Sequence, residues 1–249
     1  MDHNKYENVG GSIENSLQGQ ANLDMKGLAK EAWNLSQTRK GSLLQGSLLI
    51  FAVVLLCIAI LERIFDVQDW AVAPPNVQLA LQIVVTIITA PLVAAMFMTG
   101  ISHSVGERPA FSKVLRRIIN SALVIFIAVL ILVIVYLGFA LFLLPGLYLG
   151  LATGFSMMLY VEKQLPPSQA ILQSIRVFNR YWLQLSLFYM AAFLMFIIGM
   201  FTFGLAYIWI IPFYFNFKGI LYRELFGIRV KQRNKEVINE KESDSVFEA

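Results

Sequence analysis

The sequence predicts an all-α integral membrane protein: six transmembrane helices in three hairpins, with amphipathic helices on the cytoplasmic interface. Three observations carry this. The chain is 57% hydrophobic and only 14% charged, with mean hydropathy +0.65, which excludes an ordinary soluble domain. Long apolar stretches recur at lengths suited to a hydrocarbon core about 30 Å thick, which takes roughly 20 residues of helix to cross. And 19 of the 20 Lys and Arg residues fall on alternate sides of those stretches.

Residues 1–24 are rich in Asn, Gly, Ser and Gln, so composition predicts a disordered cytoplasmic N-terminus. No short apolar signal core precedes the first span, which is therefore expected to be retained. Residues 25–230 make the membrane domain, with spans near 42–61, 77–101, 118–142, 145–163, 183–203 and 205–222. The tract from Ile118 to Val161 is about two membrane thicknesses long and has to turn. Leu144-Pro145-Gly146 suits that turn, because proline fits a helix first turn. The fifth and sixth spans divide near Thr202-Phe203-Gly204, and 231–249 reads as a mobile cytoplasmic tail of mixed charge.

Arg63 is the one cation expected in an outer loop, a loop that also carries Glu62, Asp66 and Asp69. The positive-inside rule then puts both termini in the cytoplasm. The net charge of +4 is flank charge of this kind, and nucleic acid is not an expected partner. Cys57 is the single cysteine, so no intramolecular disulfide forms. Trp33, Tyr160, Tyr181, Trp182 and Tyr222 fall towards the cytoplasmic boundary, and Trp70, Tyr136, Tyr148, Tyr207 and Trp209 towards the outer one.

Each pair of spans follows a basic amphipathic segment: 25–40, 107–117 and 166–182. Ile171, Ile175, Phe178 and Trp182 share one helix face, as do Phe111, Val114, Leu115 and Ile118. Such helices rest apolar side down among headgroups, cations towards anionic lipid. Arg39, Lys40, Arg116, Arg117, Arg176 and Arg180 form the expected belt for membrane lipids or a membrane protein partner.

Pro145-Gly146, Val161-Glu162, Ala170-Ile171, Ser174, Arg176, Tyr181-Trp182, Ile211-Pro212-Phe213-Tyr214 and Leu221-Tyr222-Arg223-Glu224-Leu225 stand in a recognisable order. This arrangement resembles the YciC-like group of six-span bacterial inner-membrane proteins. More distantly it resembles the membrane domain attached to some glycerophosphodiester phosphodiesterases. The resemblance is carried by the final third of the chain. It implies a multi-pass protein of the bacterial inner membrane and carries over no catalytic residue.

No zinc-type His/Cys spacing, HExxH or phosphate loop is present, so no enzyme activity, metal or cofactor is expected. His103, in Ser102-His103-Ser104, reads as a polar cap at the cytoplasmic boundary, with a headgroup contact or proton site as the alternative. Polar groups inside the bilayer are few, and Asn120 starts the third span. Gln82, Thr86, Thr89 and Asn216 are candidates for a polar path or for interhelical hydrogen bonds. Lys218 is expected to reach outward to the cytoplasmic surface, and Glu162 to cap its span or pair with Arg176 or Arg180 at the rim, with a Glu162–Lys218 gate as the alternative. Gly146, Gly150 and Gly154 mark a face for close helix packing, within the chain or in a homo-oligomer. Two readings stay open: a non-enzymatic structural or regulatory protein touching anionic lipid or a partner, and a small-solute or lipid transporter.

Overall fold

The computed structural model describes residues 6–231, apart from 68, 71, 120 and 121. Asn120, residues 1–5 and the tail beyond Lys231 lie outside the described residues. In chain order the elements are β1 (Tyr6–Val9), α1 (Ile13–Gln18), α2 (Met25–Phe65), α3 (Pro75–Ser104), α4 (Phe111–Ile118) and α5 (Ala122–Leu141). There follow α6 (Leu143–Ala152), α7 (Ser156–Lys163), α8 (Pro167–Arg180), α9 (Trp182–Phe201), α10 (Tyr207–Phe226) and β2 (Ile228–Lys231). Among the described residues, the regular structure is helical apart from one antiparallel pairing of β1 with β2. Five segments among the described residues are long and apolar enough to cross a membrane: α2, α3, α5, α6 with α7, and α9. The last helix, α10, carries Lys218, Arg223 and Glu224 and is not among them.

Residues 6–24 are ordered, which corrects the disorder that their composition predicts. The cause lies at the far end of the chain. A helix leaves its last carbonyls without partners, and the N-terminal segment supplies partners for α10. Gly11 N donates to Arg223 O at 3.0 Å, and Ser16 Oγ donates to Leu225 O at 2.5 Å. Glycines are required here, since a Cβ at Gly10 or Gly11 would strike the Arg223 or Glu224 carbonyl. Ala21 N donates to Tyr181 Oη at 2.9 Å, and Arg180 donates to Gln18 O at 3.1 Å.

The segment 25–40 is not a separate interfacial helix but the first part of α2, which bends at Arg39 (φ −132°, ψ 24°). It runs antiparallel to α10: Glu31 meets Arg223, Ser36 meets Asn216, and Lys40 lies 5.8 Å from the Trp209 ring. Lys40 and Trp209, which the sequence puts towards opposite boundaries, come within side-chain reach of each other. Tyr148, also expected at the outer boundary, donates to Asn179 of α8 at 2.7 Å. Local composition marks an amphipathic ring but not its depth, and tertiary packing sets both.

The α5–α6 turn is a single extended residue, Phe142 (φ −169°, ψ 161°), rather than Leu144-Pro145-Gly146. So short a link holds the helices close. Gly138 and Gly146 face each other, and a Cβ on Gly146 would enter the Phe139 ring. Gly154 instead faces Tyr189 of α9, so the glycine face is shared between two partners within the chain.

The apolar tract 143–163 is broken between Ala152 and Ser156. Buried Ser174 of α8 repairs the break, donating to Ala152 O at 2.6 Å and accepting from Phe155 N at 3.1 Å. Around it α8 buries Ala170, Ile171, Val177 and Phe178. Trp182, expected on the same face, is 60% exposed and opens α9. Large apolar side chains stand exposed along the second half of α2 and along α5, α6 and α9, the signature of contact with lipid rather than water. Ser174→Ala is expected to lower stability by about 1–3 kcal/mol, the cost of orphaning two buried backbone groups. Thermal unfolding in detergent against wild type checks it.

Candidate functional site

Three polar clusters occupy the end of the bundle where α3 stops, α10 ends and the N-terminal segment docks. They are built on one close crossing. A Cβ on Gly100 would strike the Phe215 carbonyl, and one on Gly219 would strike the Gly100 carbonyl, so α3 and α10 touch backbone to backbone. Only glycine on both helices permits that approach.

The first cluster sits beside this crossing. His103 Nδ1 lies 2.8 Å from Asn216 Oδ1, and Asn216 Nδ2 donates to Ser36 Oγ at 3.1 Å. Ser36 in turn donates to Ala32 O at 2.7 Å. On the other side of the ring, His103 Nε2 lies 3.2 Å from Ser42 Oγ. His103, Asn216 and Ser36 are buried, while Ser42 is partly exposed. Arg39 NH1 donates to the carbonyls of His103 (3.0 Å) and Glu107 (3.2 Å), and its Nε is buried without a partner.

The second cluster is ionic. Arg223 forms a two-pronged pair with Glu31 at 2.7 and 2.9 Å, reaches Glu224 at 2.8 Å, and donates to Ser104 O at 2.6 Å. The Glu31 hydrogen bond is the main cause holding this guanidinium above its ordinary range, against the opposing effect of burial. The pair fastens the start of α2 to the end of α10.

The third cluster corrects the expectation for Lys218. It does not reach the surface: it is 3% exposed, with Nζ 4.4 Å from the Phe97 ring centroid and 5.5 Å from those of Tyr189 and Tyr214. Its hydrogen bond goes to Tyr214 Oη at 3.3 Å. Nor does it pair with Glu162, which accepts from Tyr222 Oη at 2.8 Å and lies 3.5 Å from Lys163. Tyr214, Lys218 and Tyr222 are spaced by fours along one face of α10, opposite Asn216, so the amine points into packed rings.

The other predicted residues scatter. Thr89 donates back to Val85 O within its own helix at 2.6 Å, Gln82 is exposed and Thr86 partly so. Gln82 stands 21 residues before His103 on α3, about 30 Å away along the helix, so it does not join Asn216. A cavity of about 140 Å³ between α2, α9 and α10 is lined by apolar groups such as Ala29, Phe188, Met195 and Phe213. None of the four path residues lines it. In the basic belt, Arg116, Arg117 and Arg176 are exposed, while Arg39 and Arg180 hold backbone carbonyls of the chain itself. No group of three or more potential metal ligands occurs among the described residues.

Fold and site together define a helical membrane protein with a polar, closed end. No family, curated protein or solved structure matches the chain. Sequence reasoning took His103 and Asn216 as separate groups, because 113 residues part them. The signal available was that both are polar groups close to small residues (Gly100, Gly219) on otherwise apolar helices.

Lys218→Met is expected to raise the melting temperature. Methionine keeps the length of the stem among the rings and removes an amine buried without an opposite charge. Thermal unfolding of the purified protein at neutral pH is the measurement.

Proposed function

We propose that this chain is a six-crossing protein of the bacterial inner membrane that holds anionic lipid headgroups against a basic cytoplasmic face, in a structural or regulatory role. The observation that carries the reading is the division of α4. Phe111 and Ile118 are buried in the bundle, while Lys113, Arg116 and Arg117 stand exposed beside them. Arg176 adds a further exposed cation on α8. Cations on a helix whose apolar side is already anchored lose little freedom on meeting phosphate, and each contributes about 1 kcal/mol near an anionic surface.

The six crossings find support at the chain ends. Tyr6 pairs with Lys231 and Val9 with Ile228, so both ends of the described chain meet at one place. Ends that meet on one side of a bilayer require an even number of crossings. The five apolar segments therefore need a partner, and α10, apolar as far as Phe215, is the remaining helix of sufficient length.

Lipid retention tests the function. The Lys113→Gln/Arg116→Gln/Arg117→Gln variant should retain anionic lipid roughly 100-fold more weakly, the equivalent of three surface contacts. The readout is native mass spectrometry of protein in vesicles containing phosphatidylglycerol and phosphatidylethanolamine. Retention equal to wild type overturns the reading. Topology is tested separately, with single cysteines at 70 and 110 in a Cys57→Ser background. An impermeant thiol reagent added to intact cells should modify position 70 and spare 110.

A further inference from the structure

With the His103 ring neutral, the hydrogen bonds around it have one consistent set of proton positions. Ser36 has a single hydroxyl proton, and it goes to Ala32 O. Ser36 Oγ can then only accept, so the Asn216 atom facing it is the amide nitrogen. The Asn216 oxygen therefore faces His103 Nδ1, which must carry a proton to donate to it. Nε2 is left with a bare lone pair, directed at the Ser42 hydroxyl 3.2 Å away. A nucleophile, a base in the right tautomer and a group that fixes that tautomer stand in line.

We infer that Ser42, His103 and Asn216 form a hydrolytic set, with Ser42 as nucleophile, His103 as base and Asn216 as positioning residue, acting on carboxylic esters of anionic amphiphiles. Ser42 is partly exposed, unlike the buried His103 that its hydroxyl faces. The uninterrupted apolar run of α2, residues 48–61, begins six residues after Ser42, about 9 Å along the helix, which leaves Ser42 on the headgroup side of an amphiphile's tail. Arg39 donates to the carbonyl of the same histidine, which sets a cation beside the three residues, and its buried Nε has no partner. Its non-helical backbone interrupts α2 three residues before the nucleophile.

The chemistry closes with water alone. Ser42 Oγ bonds to the ester carbonyl carbon as its proton passes to Nε2, and the carbonyl π pair moves onto oxygen. Collapse of that oxyanion breaks the bond to the alcohol oxygen, which leaves with the Nε2 proton. Water then attacks the acyl-serine by the same route, releasing the acid and restoring Ser42. The protonated ring is held by a neutral amide oxygen, so it is stabilised less than it would be by a carboxylate. The inference goes beyond the lipid-contact reading and does not rest on it, because its readout is a covalent adduct and not lipid retention.

The test uses the full chain reconstituted in vesicles and a fluorophosphonate probe, with peptide mapping of the adduct. Wild type should be modified at Ser42, and Ser42→Ala should not react. His103→Gln should react at least 100-fold more slowly, in line with loss of a general base, and should lose the wild-type pH dependence. Asn216→Ala should slow labelling and shift its pH profile, a change that a purely structural amide would not cause. No adduct on folded wild type, an adduct on another residue, or wild-type rates in His103→Gln would each overturn the proposal. Should Ser42→Ala fail to fold, the mapped site on wild type decides.

Discussion

The crossing of α3 and α10 is the constraint on which the remaining architecture rests. Between helices that are apolar on most sides, burial alone does not choose one rotation over another, and close packing with polar pairing has to do so. Gly100 stands three residues before His103, and Gly219 three after Asn216, so the backbone contact and the His103–Asn216 bond belong to one junction. Ser36 and Ser42 add α2 to it. An unpaired amide at such a buried point would cost about 1–3 kcal/mol, which gives the three-helix junction a single rotation.

From that junction the molecule divides into two unlike ends. At one end, helix termini are closed by the chain's own groups. The N-terminal segment caps α10, Arg223 clamps Glu31, and Lys163 Nζ donates to Gly227 O at 2.7 Å. At the other, Phe142, Phe201 and Phe203 are left exposed at the α5–α6 and α9–α10 turns. Exposed aromatic rings at helix turns suit a membrane boundary better than open water. The break in the 143–163 tract is closed from inside, with the Ser174 hydroxyl standing in for lost helix bonds.

Much of the fold could be read from local composition. The apolar stretches, the turn near Thr202-Phe203-Gly204 and the apolar faces of α4 and α8 depend on neighbours within a few residues. A helix in lipid meets its own backbone needs, so its sequence alone specifies it. Depth and pairing were less legible. Tyr148 and Trp209 carry no mark of the residues they meet, Asn179 and Lys40. Lys218 reads as a surface cation until Phe97 of α3, Phe155 in the α6–α7 break and Tyr189 of α9 enclose it in rings. The candidate site was legible only as scattered polar letters, since Ser42 stands 61 residues from His103 in the chain.

The sequence by itself determined that this is a helical membrane protein built on long apolar stretches, because hydrophobic length is a local property. Only the tertiary structure decided which polar side chains meet. Hydrogen bonding between helices depends on how each is rotated and where they cross, and no stretch of one helix records the angle of another.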